Sequence, residues 1–472
     1  MRRPLRWYDF ITININWFAI TSRSNVLTPL VIPLLVQEFV GEEIKGTYLG
    51  KMRLWALMAA LLTQALTGVI SDRSRLKWGR RRPFIFLGVI IEAIVIILIG
   101  LSANNVGMAG YWILFVLYIF SMIGGNINHA ATQGLIPDLI PDEKKGIASG
   151  LKAVFELPLP LIFISVGIAK MVGAGNLNGA LTLLVIILFV GMILTLFVPE
   201  KRNLDPHLEF SWRPFLRPVI MTGIFTTIIL GFGGLISYIL PFFNPISSNL
   251  NLILIGFIGI VGIGLTVVFG IWGSLRIGLG REIKVQSSYL WWVVNRLFFL
   301  VGVTNLGSFL VFFLQEKFSD FKFEEAVEPA SKIILYVGFF ILLTALFGGW
   351  LADRFGKKTL IMLSGIATAV GTGIVVAAPM ISMTYFGGSV IGIGVGLFYT
   401  ANWALGTAIV PKERAGQFLG FSNLAGAGAG AIGAYIGGPI ADYTSFTLLM
   451  SLSGVLALIS IFALIGIKEN SQ

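Results

Sequence analysis

Cysteine is missing from all 472 residues, which excludes disulfides, thiolate metal centres and lipid anchoring through Cys. Histidine is nearly missing, with two residues, so the His clusters that hold catalytic metals have no material. No paired acidic metal motif, nucleophile–base set or nucleotide-binding loop lies near a turn; no metal site is expected. Charge is scarce as well, at 12% of residues against ~25% in a soluble domain.

Apolar residues fill the chain instead, 56% of it, in blocks long enough to cross a ~30 Å hydrocarbon core as helices. Fourteen such runs lie near 8–35, 47–70, 83–103, 110–135, 147–172, 179–198, 218–242, 250–273, 289–314, 331–350, 359–378, 385–409, 416–440 and 446–467. Lipid offers the backbone no hydrogen-bond partners, which favours helices, and the ~10-residue alternating segments of a β-barrel are absent. The expected fold is an all-α membrane protein with 14 transmembrane helices. MRRPLRWYDF precedes an apolar run without a small-residue cleavage site and reads as an uncleaved first helix. Most of the 34 Lys and Arg gather at alternate helix ends, which predicts a multi-pass protein of the cell membrane with both termini cytoplasmic. The net charge of +11 is therefore a topology signal. Its cations are dispersed among short loops, so no nucleic-acid partner is expected.

A motif occurs twice. GVISDRSRLKWGRRRPF (Gly68 to Phe84) and GGWLADRFGKK (Gly348 to Lys358) each end an apolar run in Asp-Arg followed by cations. A second pair, IPDLIPDEKKGIASG (Ile136 to Gly150) and IVPKERAGQFLG (Ile409 to Gly420), aligns Gly146 with Gly416. That offset, 416 less 146, is 270 residues and exceeds half of the chain. Two six-helix bundles are therefore expected at 1–200 and 286–472, with a central linker at 201–285 carrying an extra two-helix hairpin. The hairpin has no charge at membrane depth and reads as lipid-facing. The run GAGAGAIGAYIGG (Gly426 to Gly438) spaces small residues for close helix approach; without a preceding strand it is no dinucleotide fingerprint.

These turns resemble the loop signature of the major facilitator superfamily. The matching positions are Asp72, Arg73, Gly79, Arg80 and Arg81 in the first half and Asp353, Arg354, Gly356 and Lys357 in the second. Within the superfamily, GRRRPFI (Gly79 to Ile85) is similar to the sucrose/proton symporters and the glycoside-pentoside-hexuronide cation symporters. The resemblance implies a major facilitator fold, a small-molecule substrate within the lipid bilayer, a monomer, and secondary active transport by alternating access. It further implies sugar or glycoside uptake. Drug efflux by proton antiport, which fourteen helices favour, is the alternative, and an integral-membrane transferase, for which no catalytic motif is present, is a remote one. The intramembrane aspartates of melibiose-type sodium symporters have no counterpart in the corresponding helices. The proton is thus the expected coupling ion, and no cofactor is expected.

The Asp-Arg turns can latch helices through charge-assisted bonds that open when two halves rock; a topogenic cation cluster would explain Arg80 and Arg81 but not the paired Asp. Ionisable groups at membrane depth are costly and usually find a partner or a wet cavity. Here they are Arg23, Glu92, Glu156 and Arg296, with His129 nearby. Arg23 leans toward its own N-terminus, where Glu156 could meet it, leaving a buried pair and a proton-coupling role for Glu156 both open. Polar stripes at helical spacing mark cavity candidates. They comprise Asn14, Thr21 and Asn25; Asn126 and Gln133; Trp291, Asn295 and Asn305; and Tyr399, Asn402 and Trp403. Amides and aromatic rings together suit a polyol or an amphiphile, and interhelical hydrogen bonding would use the same residues.

Overall fold

A computed structural model describes residues 6–198, 200, 213–243, 249–279, 287–410 and 415–468. The linker residues 201–212, the hairpin tip at 244–248 and part of the IVPKERAGQFLG turn, 411–414, lie outside them. Among the described residues thirteen helices are long and apolar enough to cross a membrane, close to the fourteen expected. The fourteenth run is helical too, over Ala415–Tyr443.

The helices are α1 (Trp7–Val40), α2 (Lys45–Asp72), α3 (Arg82–Ser102), α4 (Gly107–Leu139), α5 (Lys145–Gly173) and α6 (Leu177–Leu196). The inserted pair is α7 (Arg213–Ile239) and α8 (Asn249–Leu279). Then come α9 (Ser287–Ser308), α10 (Val327–Phe355), α11 (Lys357–Ala377), α12 (Ile381–Ile409), α13 (Ala415–Tyr443) and α14 (Phe446–Phe462). Two compact units result: residues 1–39 with 59–218, and 40–58 with 219–472.

In the first unit α1 packs on α4, α5 and α6, and α3 packs on α4 and α6. Pro29 and the Pro158/Pro160 pair interrupt the helical hydrogen-bond ladder. Correspondingly, α1 widens to a π-turn at Leu27–Val31, and α5 breaks at Leu157 and widens at Ile164–Ile168. In the second unit α9 lies against α13 and α14, while α12 lies against α10 and α11. The small-residue face of α13 lets neighbours in. A Cβ at Gly430 would stand 2.8 Å from Leu57, and one at Gly428 would stand 2.5 Å from Phe225 of α7. The hairpin thus packs on the second unit through α7 and α8. Its other faces carry Phe257, Leu265 and Tyr238 outward, as a lipid-facing surface requires. An apolar groove of about 290 Å³ runs between α8 and α9, lined by Val268, Phe269, Trp272, Leu290, Trp291 and Val294.

Candidate functional site

The first Asp-Arg turn is a closed polar knot. Gly79 takes φ +115°, a left-handed conformation open to glycine, and so turns the chain back into α3. Arg81 is 6% exposed and donates from NH2 to Asp72 Oδ1 (2.5 Å), from Nε to Asp138 Oδ2 (2.8 Å) and from NH1 to Ser71 Oγ (2.5 Å). Arg80 pairs with the other oxygen of Asp138. The Glu200 carboxylate receives the backbone N–H groups of Arg81 (2.7 Å) and Arg82 (3.1 Å), where α3 has unpaired donors and a positive dipole end. Burial works against the Arg81 charge, but hydrogen bonding and proximity to Asp138, then Asp72, outweigh it and hold its pKa above the ordinary value. Asp138 and Glu200 were not expected here. Their signals were the IPD and PEK turns at the ends of α4 and α6.

The second turn is not a copy of the first. Gly356 repeats the positive φ, at +86°, but Asp353 is exposed and makes no ion pair among the described residues. Arg354 lies over the rings of Trp350 (5.3 Å) and Phe355 (5.6 Å) on its own helix. Lys358 donates to Ile467 O (2.5 Å), and Lys357 begins α11. Among the described residues the expected carboxylate latch is therefore seen only in the first turn; Glu413 of the matching loop lies outside them. The second lacks an acid comparable to Asp138 beside it among the described residues.

Inside the first unit Arg23 meets Glu92, not Glu156. The two side chains are 5% and 1% exposed and joined through Arg23 Nε; NH2 donates to Ser121 Oγ at 2.7 Å. Gly125 makes the room, since a Cβ there would stand 2.8 Å from Glu92 Oε1 and 3.2 Å from Arg23 Cζ. Glu92 lies ten residues into α3, about 15 Å along its axis. Glu156 instead sits at the last turn before the Pro158 break, 36% exposed, 3.5 Å from Lys152 one turn earlier. His129 stands edge-on to Trp17 (5.1 Å), whose other neighbour is the Lys152 ammonium at 3.9 Å.

The expected cavity residues of the first unit differ in burial and in partners. Asn14 is fully buried and donates to Phe10 O (2.9 Å) and Ala148 O (3.2 Å); Asn126 donates to Met122 O at 2.8 Å. Gln133 reaches Gln64 at 3.5 Å, and Thr21 and Asn25 are half-buried. A second buried tie between α1 and α4 is made by Asn16, whose Nδ2 donates to Asn128 Oδ1 (2.6 Å) and Thr132 Oγ1 (2.7 Å). It lies two positions from the Asn14 and Asn126 stripe, too far round each helix to share its face. Asn305 is buried against Gly433 and Gly437.

In the second unit a polar chain crosses α9, α12 and α14. Arg296 NH1 donates to Asn402 Oδ1 (3.0 Å), Asn402 Nδ2 to Asn295 Oδ1 (2.9 Å), and Asn295 Nδ2 to Ser460 O (2.8 Å). The indole of Trp292, fully buried, donates to Asn402 O at 2.8 Å. Arg296 lies 5.9 Å from the Trp292 ring and 5.7 Å from that of Trp403. Trp403 and Tyr399 are each 42% exposed. Trp291, expected in this group, lines the groove beside α8 instead. One residue is a 100° rotation on a helix, and it is Trp292 that shares the site.

A profile described as Major Facilitator Superfamily matches residues 15–319 and 293–471. Among curated proteins, sucrose transport protein SUT1 of Oryza sativa subsp. japonica is 40% identical over 47 residues, 10% of this chain and 9% of that protein. Multi-drug resistance efflux pump PmrA of Streptococcus pneumoniae (strain ATCC BAA-255 / R6) is 28% identical over 151 residues, 30% of this chain and 38% of that protein. The matched stretches thus span a tenth to two-fifths of these relatives. A crystal structure of a D-xylose-proton symporter superposes with TM-score 0.66 at 14% identity, covering 98% of both chains, a likeness of fold.

Proposed function

Since the chain belongs to the major facilitator superfamily and is a transporter rather than an enzyme, we propose that it carries a small polar solute, sugar-like in size and hydrogen bonding, into the cell by alternating access coupled to protons. The observation that carries this reading is the Arg23–Glu92 pair, an ion pair sealed at membrane depth. A carboxylate there is stable as an anion only while its cation is in contact. Proton uptake by Glu92 would release Arg23, so one proton can switch the contact between α1 and α3. Coupling is thus attributed to Glu92 rather than Glu156, which pairs with Lys152 in a half-exposed contact within its own helix. Similarity to a sucrose transport protein supports the sugar-like solute, and the amide–aromatic group around Asn402 suits one.

The double variant Arg23→Gln/Glu92→Gln strands no charge, so it separates coupling from folding. In proteoliposomes it is expected to exchange solute between equal pools yet fail to accumulate it under an imposed pH gradient, as Glu156→Gln should not. Accumulation at the unaltered rate in the double variant would remove the pair from coupling. The alternative, proton-driven efflux of amphiphiles, is favoured by the likeness to PmrA and by the exposed rings of Tyr399 and Trp403. Vesicles of opposite orientation, given labelled sugars and cationic drugs, decide the direction.

A further inference from the structure

Arg296 differs from Arg23 in one respect that bears on the solute. Both are guanidinium groups inside transmembrane helices, Arg296 about 14 Å along α9 from Ser287, yet among the described residues only Arg23 of the two has a carboxylate. Among the described residues no acid pairs with Arg296. Its neutral partner is Asn402 Oδ1, its Nε has no hydrogen-bond partner, the faces of Trp292 and Trp403 lie beside it, and the phenols of Tyr399 and Tyr289 are close enough to interact with its charge. A guanidinium has five N–H donors and keeps its charge in proteins, and a lone charge at this depth is disfavoured. Stability alone would select against it.

We propose that Arg296 receives an anionic oxygen group of the transported solute, a carboxylate or a phosphate, whose ring or chain lies on Trp403 and Tyr399. This rests on the transporter reading above and narrows its solute from a neutral sugar to an acidic one. The chemistry fits the geometry in three ways. Guanidinium forks bind carboxylate and phosphate oxygens through paired, charge-assisted bonds. The Asn402–Asn295–Ser460 chain fixes the Nη1 side of the fork and Nε is buried, which leaves Nη2 to meet a ligand. Trp403 and Tyr399 are accessible, so a bound molecule has a surface to stack on.

The test uses nitrophenyl probes, which quench tryptophan fluorescence, on the purified full chain. One pair is 4-nitrophenyl β-D-glucuronide against the glucoside; the other is 4-nitrobenzoate against 4-nitrobenzyl alcohol, and 4-nitrophenyl phosphate separates phosphate from carboxylate. The acid should bind about tenfold or more tightly than its neutral counterpart in at least one pair. Arg296→Gln should erase that preference, whereas Arg296→Lys should keep the preference at lower affinity. Because Arg296→Gln removes an uncompensated charge, its melting temperature should be equal or higher, which a purely structural arginine would not give. Equal quenching by acid and neutral probes in both pairs, or a preference surviving Arg296→Gln, overturns the proposal. Glucoside bound as tightly as glucuronide, with no preference in the benzoate pair either, keeps the sugar reading and removes this inference. Preference for nitrobenzoate with neither sugar bound does the reverse.

Discussion

Glu92→Gln is expected to destabilise the protein by about 3–5 kcal/mol, the cost of leaving one member of a buried pair uncompensated. Arg23→Gln should cost less, although it breaks the same contact. The difference lies in what remains: a stranded carboxyl can take up a proton and become neutral, whereas a stranded guanidinium cannot lose one. The double variant should recover most of the loss, because two amides can hydrogen-bond across the space that Gly125 leaves open. Thermal unfolding of the four proteins in one detergent forms a double-mutant cycle. A double variant as unstable as the sum of the singles would mean that Arg23 and Glu92 do not depend on each other.

Arg81→Gln should have the other large effect, lowering transport to a few per cent while the protein still inserts. Four oxygen-bearing groups converge near this residue. Charge-assisted bonds contribute ~1.5–3 kcal/mol each, and the loss leaves Asp72 and Asp138 facing each other across the turn. Arg81→Lys keeps the charge without the fork and should fall between. Asp353→Asn should be nearly silent, as expected of an exposed group without an ion pair among the described residues. Initial uptake rates, normalised to protein in the membrane, give the order; equal losses at Asp72 and Asp353 would restore the symmetric latch that the duplicated motif suggested.

What the sequence made legible was governed by length and one-dimensional order. Apolar runs of membrane length located the helices, and the Asp-Arg motif located the turn at Gly79. Side-chain partners depend on azimuth and on which helix stands opposite, and neither is written locally. Depth counted along α1 and α5 made Arg23 and Glu156 plausible partners, yet the contact goes to Glu92 because Gly125 opens α4 at that level. Likewise Trp291 and Trp292 are adjacent letters with opposite surroundings, one beside α8 and the other under Asn402. The repeat suggested equal turns, but equality required acids beside both, and among the described residues only the first turn has them. Asp138 and Glu200 serve the first turn, and Asp353 stands exposed at the second.

The Arg23–Glu92 contact also constrains the order in which the chain can be built. Synthesis proceeds from the N-terminus, so α1 reaches the bilayer with its arginine while α3, which supplies the glutamate, is still unmade. A central arginine on an inserting helix costs about 2.5–3.5 kcal/mol, and nothing in α1 itself neutralises Arg23. The first helix is therefore electrically complete only once the nascent chain has extended through Glu92. Until then, α1 should remain next to the insertion machinery, and a ribosome stalled between Asp72 and Arg82 would hold it there.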